Sequence, residues 1–185
     1  MRKIAVIFPG VGYTKDRPLL YYSGKLALKH GYELKHIDFT GLKWSKEKLK
    51  DQDFLAETMK TCLKMTENSL EELGDISNDE IVFISKSIGT VVATAYAKKK
   101  NLKVRQICFS PLELISDYVE EGNAELFCGD ADPYADFVSV EKIAKDRQLN
   151  MHRINGGNHS LETGDVDKDI DNLRAMMQSI VRFFE

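Results

Sequence analysis

The sequence predicts an α/β fold built on one mostly parallel sheet of about six strands, with helices on both faces. Short apolar runs recur along the chain, and segments with apolar residues at helical spacing separate them. Parallel strands need a crossover that packs back on the sheet, so this alternation over the whole length favours a parallel sheet. Because the chain has 185 residues and no internal repeat or linker-like tract, residues 1–185 are expected to form a single domain.

The first part of the chain alternates strand and helix twice. Pro9 and Gly10 end the first apolar run, and Gly31 follows the first helical pattern as a C-terminal glycine. The segment after Gly31 mixes apolar and polar residues, which is typical of an edge strand. The predicted elements are a buried strand at 4–8, a helix at 19–30, an edge strand at 33–39, and a long helix from Leu55 to Leu73 that Gly74 ends.

The rest of the chain continues the alternation. The run Lys98-Lys99-Lys100 is expected to end a helix, where cations meet the negative pole of the helix dipole, and Ser139 is expected to cap another. The short connection after Phe109 leaves no room there for a lid domain. The predicted elements are strands at 81–84, 106–109, 124–128 and 150–154, and helices at 88–100, from 139 to near Arg147, and at 170–184.

Composition and charge argue against several classes of partner. The chain has 26 Lys and Arg against 29 Asp and Glu, so its net charge of −3 gives no reason to expect nucleic acid or an anionic membrane. No apolar run approaches the roughly 18 residues that span a bilayer, and the N-terminal apolar run is too short for a signal peptide. Cys62, Cys108 and Cys128 have no paired spacing, which favours a reducing, cytoplasmic location. The oligomeric state is not defined by the sequence.

A small polar stretch, SKSIG, separates the strand at 81–84 from the helix that follows. So short a connection needs a tight turn, with one side chain at its apex that stands clear of both elements. We expect Ser87 at that apex, and Gly89 then allows close packing of the helix. Two alternatives stay open. Ser87 could be an ordinary N-cap, and Ser85 is a rival hydroxyl, although its strand position points it into the sheet, where it would bond to a backbone carbonyl or a neighbouring loop.

The residues beyond the carboxyl ends of the strands are the first candidates for a site, since ligands of open parallel sheets gather there. Four such stretches are PGVGY, SKSIG, GDADPY and GGNHS. A serine hydroxyl needs a base, and histidine titrates near neutral pH. Among the four histidines, His159 alone follows a strand in a loop of small residues, although it could also be an ordinary loop residue. The base in turn needs a carboxylate, and both Asp130 and Asp132 are available.

In these four stretches, and in the order of its elements over nearly the whole chain, the sequence resembles the α/β-hydrolase superfamily. It is most similar to the small, lidless, single-domain, esterase-like members, which implies a minimal α/β-hydrolase fold without a lid. The family places a nucleophile, an acid and a histidine in that chain order, which Ser87, Asp132 and His159 match. The family's acid typically lies three residues after the glycine that closes its strand, which selects Asp132 over Asp130. Ser85 departs from the pattern G-x-S-x-G, because the first glycine usually stands there.

The resemblance also implies an oxyanion hole with two backbone donors. The amide of Ile88 is one, because it lies at the N-terminus of the helix after the turn, where the dipole helps. The PGVG stretch is expected to supply the other. By resemblance to families in which the residue after that glycine donates, Val11 is selected, with Gly12 as the alternate.

Lys86 and Tyr13 are candidate substrate contacts. Lys86 could hold an anionic group of the substrate as a point charge, or it could be an ordinary solvated lysine. Tyr13, Trp44 and Tyr134 are aromatic residues in the predicted loops, and they could line the cleft or serve only in packing.

The predicted function is hydrolysis of a small ester, thioester or related acyl substrate, through a Ser-His-Asp triad and a covalent acyl-enzyme. The sequence contains no phosphate-loop, zinc-ligand or complete calcium-loop pattern, so no cofactor and no metal is predicted. The expected partner is a small-molecule acyl substrate. Two alternatives stay open: a non-catalytic binding or interaction protein on the same fold, and an acyltransferase that uses an acceptor other than water.

Overall fold

The structure is a computed structural model that describes residues 1–42 and 51–185, and of Gln52 only the backbone. Trp44, one of the three aromatic candidates for the cleft, lies outside the described residues. Within the described ranges, no helix combines the length and the apolar character that crossing a lipid bilayer requires.

A parallel sheet of six strands lies at the centre of the described residues. The strands are β1 Lys3–Phe8, β2 Glu33–His36, β3 Glu80–Lys86, β4 Val104–Phe109, β5 Ala124–Gly129 and β6 Asn150–Ile154. Their order in the sheet is β2-β1-β3-β4-β5-β6, and neighbouring strands pair in parallel throughout. The strands β1 and β3 are buried along nearly their whole length, as strands covered on both faces must be. The predicted fold class is confirmed.

Five helices cover the two faces of this sheet within the described residues. Their bounds are α1 Pro18–Lys29, α2 Gln52–Leu70, α3 Ile88–Lys100, α4 Phe137–Asp146 and α5 Val166–Phe184. Successive side chains of a strand point to opposite faces. Accordingly Phe83 packs into the core under α2, α3 and α4, whereas Val82 and Ile84 pack into the core under α1 and α5. The helices predicted on both faces are confirmed.

Several predicted bounds differ from the structure by a few residues, and two of the differences have a local physical cause. The edge strand β2 ends at His36 rather than at Phe39, because its neighbour β1 ends at Phe8 and the following Pro9 has no N–H to continue the ladder. The cap of α4 is Asp136 rather than Ser139: the Asp136 carboxylate accepts from the Ser139 N–H at 2.9 Å and from its hydroxyl at 2.6 Å. Both residue types cap helices, but only the carboxylate adds a negative charge at the positive pole of the dipole.

The parallel arrangement brings the loops that follow all six strands to one edge of the sheet. These loops begin after Phe8, His36, Lys86, Phe109, Gly129 and Ile154, the last residues of β1 to β6. All four stretches selected from the sequence therefore lie at the same edge, together with the loop that begins at Ser110.

Candidate active site

Ser87 occupies the sharp turn between β3 and α3. Its backbone lies at φ 56° and ψ −126°, a conformation that residues other than glycine rarely adopt and that costs about 1 to 3 kcal/mol. Its N–H donates to the Phe109 carbonyl at 3.0 Å, which ties the turn to β4. Ser87 holds the N-cap position of α3, but its side chain forms no capping bond within the described residues. The interpretation of Ser87 as an ordinary N-cap is therefore wrong.

Two glycines allow the backbones around this turn to approach each other. A Cβ atom at Gly89 would lie 2.5 Å from the Pro9 carbonyl oxygen, so only glycine lets the first turn of α3 pack against the end of β1. A Cβ atom at Gly10 would lie 3.2 Å from the Ser87 Cβ, which places the loop after β1 directly beside the serine. The predicted role of Gly89 in close helix packing is confirmed.

The rival hydroxyl, Ser85, lies inside the sheet. It is fully buried, and its hydroxyl donates to the Ile107 carbonyl of the neighbouring strand at 3.1 Å. This is the backbone-carbonyl bond expected from its strand position. Ser85 therefore has no access to a substrate.

Ser87, His159 and Asp132 form one continuous hydrogen-bonded chain. The Ser87 Oγ lies 2.8 Å from the His159 Nε2, and the His159 Nδ1 lies 2.7 Å from the Asp132 Oδ2. The Asp132 side chain is 3% exposed, and its other oxygen accepts the Tyr134 N–H at 2.8 Å. Because the ionised carboxylate can only accept, the Nδ1 carries the proton, and the Nε2 is left to accept from the serine hydroxyl.

Asp130 is held away from the histidine. Its carboxylate accepts from the Arg153 side chain at 2.5 and 2.9 Å and from the Gly156 N–H at 2.6 Å, and the Arg153 bonds hold the pKa of Asp130 below its ordinary value. These bonds tie Asp130 to β6 and to the loop after it. Of the two aspartates two residues apart, Asp132 contacts His159 and Asp130 anchors the loop that carries it.

The loop of His159 packs directly on the end of β5. A Cβ atom at Gly129 would lie only 2.1 Å from the Gly157 carbonyl oxygen, so a side chain at position 129 would displace this loop. The same carbonyl accepts the Ala131 N–H at 3.0 Å. The two glycines therefore permit a close contact between the end of β5 and the loop that carries His159.

Two further residues contact the histidine: Ser110, which was not selected from the sequence, and Tyr134, which was a candidate either for lining the cleft or for packing. The Ser110 hydroxyl donates to the His159 carbonyl at 2.9 Å, from a backbone at φ 43°. The Tyr134 ring lies edge-on to the imidazole, with ring centroids 5.0 Å apart at an interplanar angle of 78°. The only sequence signal for Ser110 is its place directly after β4, in the one strand-end stretch that carries no glycine or histidine.

The backbone donors expected for an oxyanion belong to the start of α3 and to the loop after β1. Ile88 is the first residue of α3, where helical N–H groups have no intrahelical acceptor. The loop after β1 forms a tight turn, in which Gly10 and Tyr13 exchange backbone bonds of 3.1 and 3.3 Å and Gly12 adopts φ 74°. Val11 lies at the tip of this turn and is 39% exposed.

The side chains of Lys86 and Tyr13 lie beneath the backbone of that turn and are buried. Lys86 is 1% exposed, and burial lowers its pKa to about 7, although the Asp132 carboxylate opposes this shift. The Lys86 Nζ lies 5.3 Å from the centroid of the Tyr13 ring. The Tyr13 hydroxyl accepts the Leu19 N–H at 3.2 Å, and burial raises the pKa of Tyr13 to about 12. A solvated Lys86 is therefore excluded.

A cavity of about 550 Å³ opens beside the turn at Gly10–Tyr13, and its wall includes Gly10 and Val11. The loop after β2 forms the opposite wall with a mixture of polar and apolar side chains. These are His36, Ile37, Asp38, Phe39 and Thr40. The volume falls within the range of small-molecule sites.

The three cysteines are free and buried. Burial raises the pKa of the Cys62 and Cys108 thiols to about 12, and it also raises the pKa of Cys128. Since the thiolate is the reactive form, these side chains are poor nucleophiles. No cluster of three potential metal-binding side chains is found in the described part of the chain.

No protein-family model and no curated protein matches this chain. Solved structures do: a member of the α/β serine hydrolases without a lid from Xanthomonas campestris is 16% identical, with a TM-score of 0.63, 98% of this chain covered and 81% of the other. Est1E from Butyrivibrio proteoclasticus with ferulic acid bound is 13% identical, with a TM-score of 0.70 and coverage of 98% and 87%. The esterase Pf2001 from Pyrococcus furiosus is 12% identical, with a TM-score of 0.62 and coverage of 97% and 83%. Over its described residues, this chain has the α/β-hydrolase fold in its lidless form.

Proposed function

We propose that this chain is a serine hydrolase that cleaves small acyl esters or thioesters through a covalent acyl-enzyme. The observation that carries the proposal is the hydrogen-bonded chain from Ser87 through His159 to Asp132, at the edge of the sheet where parallel folds bind ligands. The strained conformation of Ser87 supports it further, because such backbone strain concentrates at functional sites.

In the first half of the reaction, the Ser87 Oγ attacks the acyl carbon while the His159 Nε2 takes the hydroxyl proton. The carbonyl oxygen becomes an oxyanion, which the N–H groups of Ile88 and Val11 stabilise, with Gly12 as the alternate donor. Asp132 holds the imidazole in its tautomer and stabilises the imidazolium. The bond to the leaving group then breaks as the imidazolium donates its proton to the departing alcohol or thiol.

In the second half, a water molecule replaces the leaving group. The His159 Nε2 takes a proton from the water, whose oxygen attacks the acyl carbon of the ester on Ser87. The bond from that carbon to the Ser87 Oγ breaks, and the proton returns to the serine. The carboxylic acid leaves, and the site regains its starting state.

The lining of the cavity beside the turn at Gly10–Tyr13 favours a small substrate. None of the described residues that line it belongs to the triad, so in this proposal the cavity takes the part of the substrate that extends past Val11. Its mixed polar and apolar wall suits a short group better than a long alkyl chain. The structural neighbours that are named for ferulic acid and for esterase activity support an ester as the substrate, at the level of the fold.

The test is turnover of p-nitrophenyl esters and acyl thioesters in a series from acetyl to dodecanoyl. We expect hydrolysis that is fastest for the short chains and that Ser87→Ala reduces by about 10⁶-fold. Ser85→Ala is the matched control, because it removes a hydroxyl two residues away that is buried in the sheet. Full turnover by Ser87→Ala would contradict the assignment of the nucleophile. Absence of turnover on every substrate by the folded wild type would contradict hydrolysis.

A further inference from the structure

Lys86 is a buried basic residue that the proposed reaction does not use. It is the last residue of β3 and directly precedes Ser87, and it pairs with Phe109 of β4. By the alternation along β3 it shares the face of Val82 and Ile84, which pack into the apolar core under α1 and α5. An apolar side chain would fill this place without the desolvation of an ammonium group. The charge itself therefore calls for an explanation.

The stem of Lys86 lies against the turn at Gly10–Tyr13. A Cβ atom at Gly10 would lie 3.4 Å from the Lys86 Cγ and 3.2 Å from the Lys86 carbonyl oxygen. The Nζ continues to the Tyr13 ring, 5.3 Å from its centroid, within the distance at which an aromatic face attracts a cation. Lys86 therefore supports from below the turn whose tip carries Val11.

Few charged or titratable groups face the Lys86 Nζ. From the loop after β5, the Asp132 carboxylate attracts it and favours its charged form. The loop after β1 contributes Tyr13, and the charges of Arg17 and Glu162 influence the pKa of its hydroxyl group. No described residue forms a hydrogen bond or ion pair with the Nζ. The cation therefore acts on its surroundings through its field and through the Tyr13 ring.

We propose that Lys86 is a positioning residue of the site: its buried ammonium holds the turn at Gly10–Tyr13 against the serine and balances the negative charge of Asp132 beside His159. The expected effect of Lys86 on turnover rests on the proposed function, whereas its electrostatic interaction with Asp132 does not. In its charged form Lys86 attracts both the Asp132 carboxylate and the face of the Tyr13 ring, so the turn that carries Val11 and the carboxylate that orients His159 share one cation.

The test compares the wild type with Lys86→Met, a near-isosteric change that removes only the charge, and with Lys98→Met as the matched control. Lys98 is exposed near the end of α3, about 15 Å along the helix axis from the Ser87 turn. The first measurement follows the side-chain signal of Lys86 by NMR as pH varies, in the wild type, in Asp132→Asn and in Lys98→Met. We expect Lys86 to lose its proton near pH 7 in the wild type and in Lys98→Met, and at lower pH in Asp132→Asn, because the carboxylate favours the charged form of Lys86.

The second measurement is kcat/KM against pH, together with the melting temperature. We expect Lys86→Met to lower kcat/KM about tenfold below pH 7, and the difference from the wild type to shrink above pH 7, where Lys86 loses its charge. The melting temperature should stay equal or rise, since an apolar residue replaces a buried charge. A Lys86 titration that Asp132→Asn leaves unchanged, or a loss of activity that does not vary with pH, would give Lys86 a purely structural role and overturn the proposal. An unchanged kcat/KM in Lys86→Met would overturn it as well.

The two readouts separate this inference from the proposed function. The NMR titration requires no turnover, so it tests the electrostatic role of Lys86 even if no substrate is cleaved. Wild-type protein that neither turns over esters nor reacts at Ser87 would contradict the hydrolase proposal alone. A shifted titration in that case would keep Lys86 as the cation that balances Asp132.

Discussion

The serine turn, residues 86–89, and the histidine loop, residues 155–161, hold the two ends of one hydrogen bond by different means. The serine turn is built from two elements adjacent in the sequence, the end of β3 and the start of α3, and Gly89 lets α3 pack against the end of β1. The histidine loop depends on distant partners: Ser110 after β4, Gly129 at the end of β5, and Asp130. The comparison teaches that the turn of the nucleophile is formed by adjacent sequence, whereas the position of the base depends on residues at the ends of two other strands, β4 and β5.

The largest effect is expected at Asp132, whose carboxylate holds the histidine that bonds to Ser87. Asp132→Asn keeps the size of the side chain but can hold the wrong tautomer of His159, so kcat/KM should fall about 10⁴-fold with little change in stability. Asp130→Asn is the matched control, because it lies in the same loop and contacts Arg153 instead. Steady-state kinetics on the best ester checks both. Equal losses in the two variants would contradict the distinction between the aspartates.

A change at Gly129 should disturb the histidine loop and leave the serine turn intact. Gly129→Ala puts a methyl group where the Gly157 carbonyl lies, so the loop must move, and a displacement near 1 Å costs about 10²-fold in rate. Overpacking should also cost about 1 to 3 kcal/mol of the free energy of unfolding. Kinetics and urea denaturation measure the two effects.

Gly122→Ala is the control for the glycine change. Gly122 has φ 69°, and no atom lies within 4 Å of the position that a methyl group would take there, so alanine costs backbone strain alone. Its activity should stay at the wild-type level. If Gly129→Ala also kept full activity, the close contact would not set the position of His159.

A smaller effect is expected from Ser110. Ser110→Ala removes the hydroxyl that donates to the His159 carbonyl, so activity should fall about tenfold and stability by about 1 kcal/mol. Ser23→Ala removes a buried hydroxyl of similar kind, which donates to the Leu19 carbonyl within α1, away from the site. Both variants should lose similar stability in chemical denaturation, but only Ser110→Ala should lose activity. A loss of activity in Ser23→Ala of the same size would contradict this.

The smallest effect concerns pH and the anchor of the histidine loop. The pKa of Asp130 is held below its ordinary value of 3.8, chiefly by Arg153, so its bonds stabilise the fold above that pH and lose their contribution as the pH falls through the lowered value. Asp130→Asn should therefore melt at a lower temperature than the wild type near neutral pH. The difference should vanish at strongly acidic pH. A constant difference across the whole range would exclude this ion pair as its cause.

Much of the fold follows from local patterns in the sequence. The apolar runs and the glycines after them predict the six strands and their order along the chain, because a parallel sheet needs that alternation. The end of β2 and the cap of α4 could not be predicted. The first depends on where the neighbouring strand β1 stops, and the second on which of two capping residues, Asp136 or Ser139, begins the helix.

Within the candidate site, the serine turn could be predicted from the sequence more fully than the contacts of the histidine loop. Ser87 could be predicted, because a strand, a tight turn and a helix are adjacent in the sequence. The choice of Asp132 over Asp130 needed the family resemblance, since the residues alone left both open. The contact of Ser110 with His159 could not be predicted, because it joins residues 49 positions apart. The burial of Lys86 was also missed, since it depends on how the turn at Gly10–Tyr13 folds over β3.

The most direct measurement is the intact mass of the protein after reaction with a fluorophosphonate probe, followed by peptide mapping. The account predicts a single adduct on Ser87 in the wild type, no adduct in Ser87→Ala, and a much slower reaction in His159→Ala. Heat-denatured wild type is the control for reactivity that needs no folded site. No adduct on the folded wild type, or an adduct that persists in Ser87→Ala, would contradict the central claim that this turn holds an activated nucleophile.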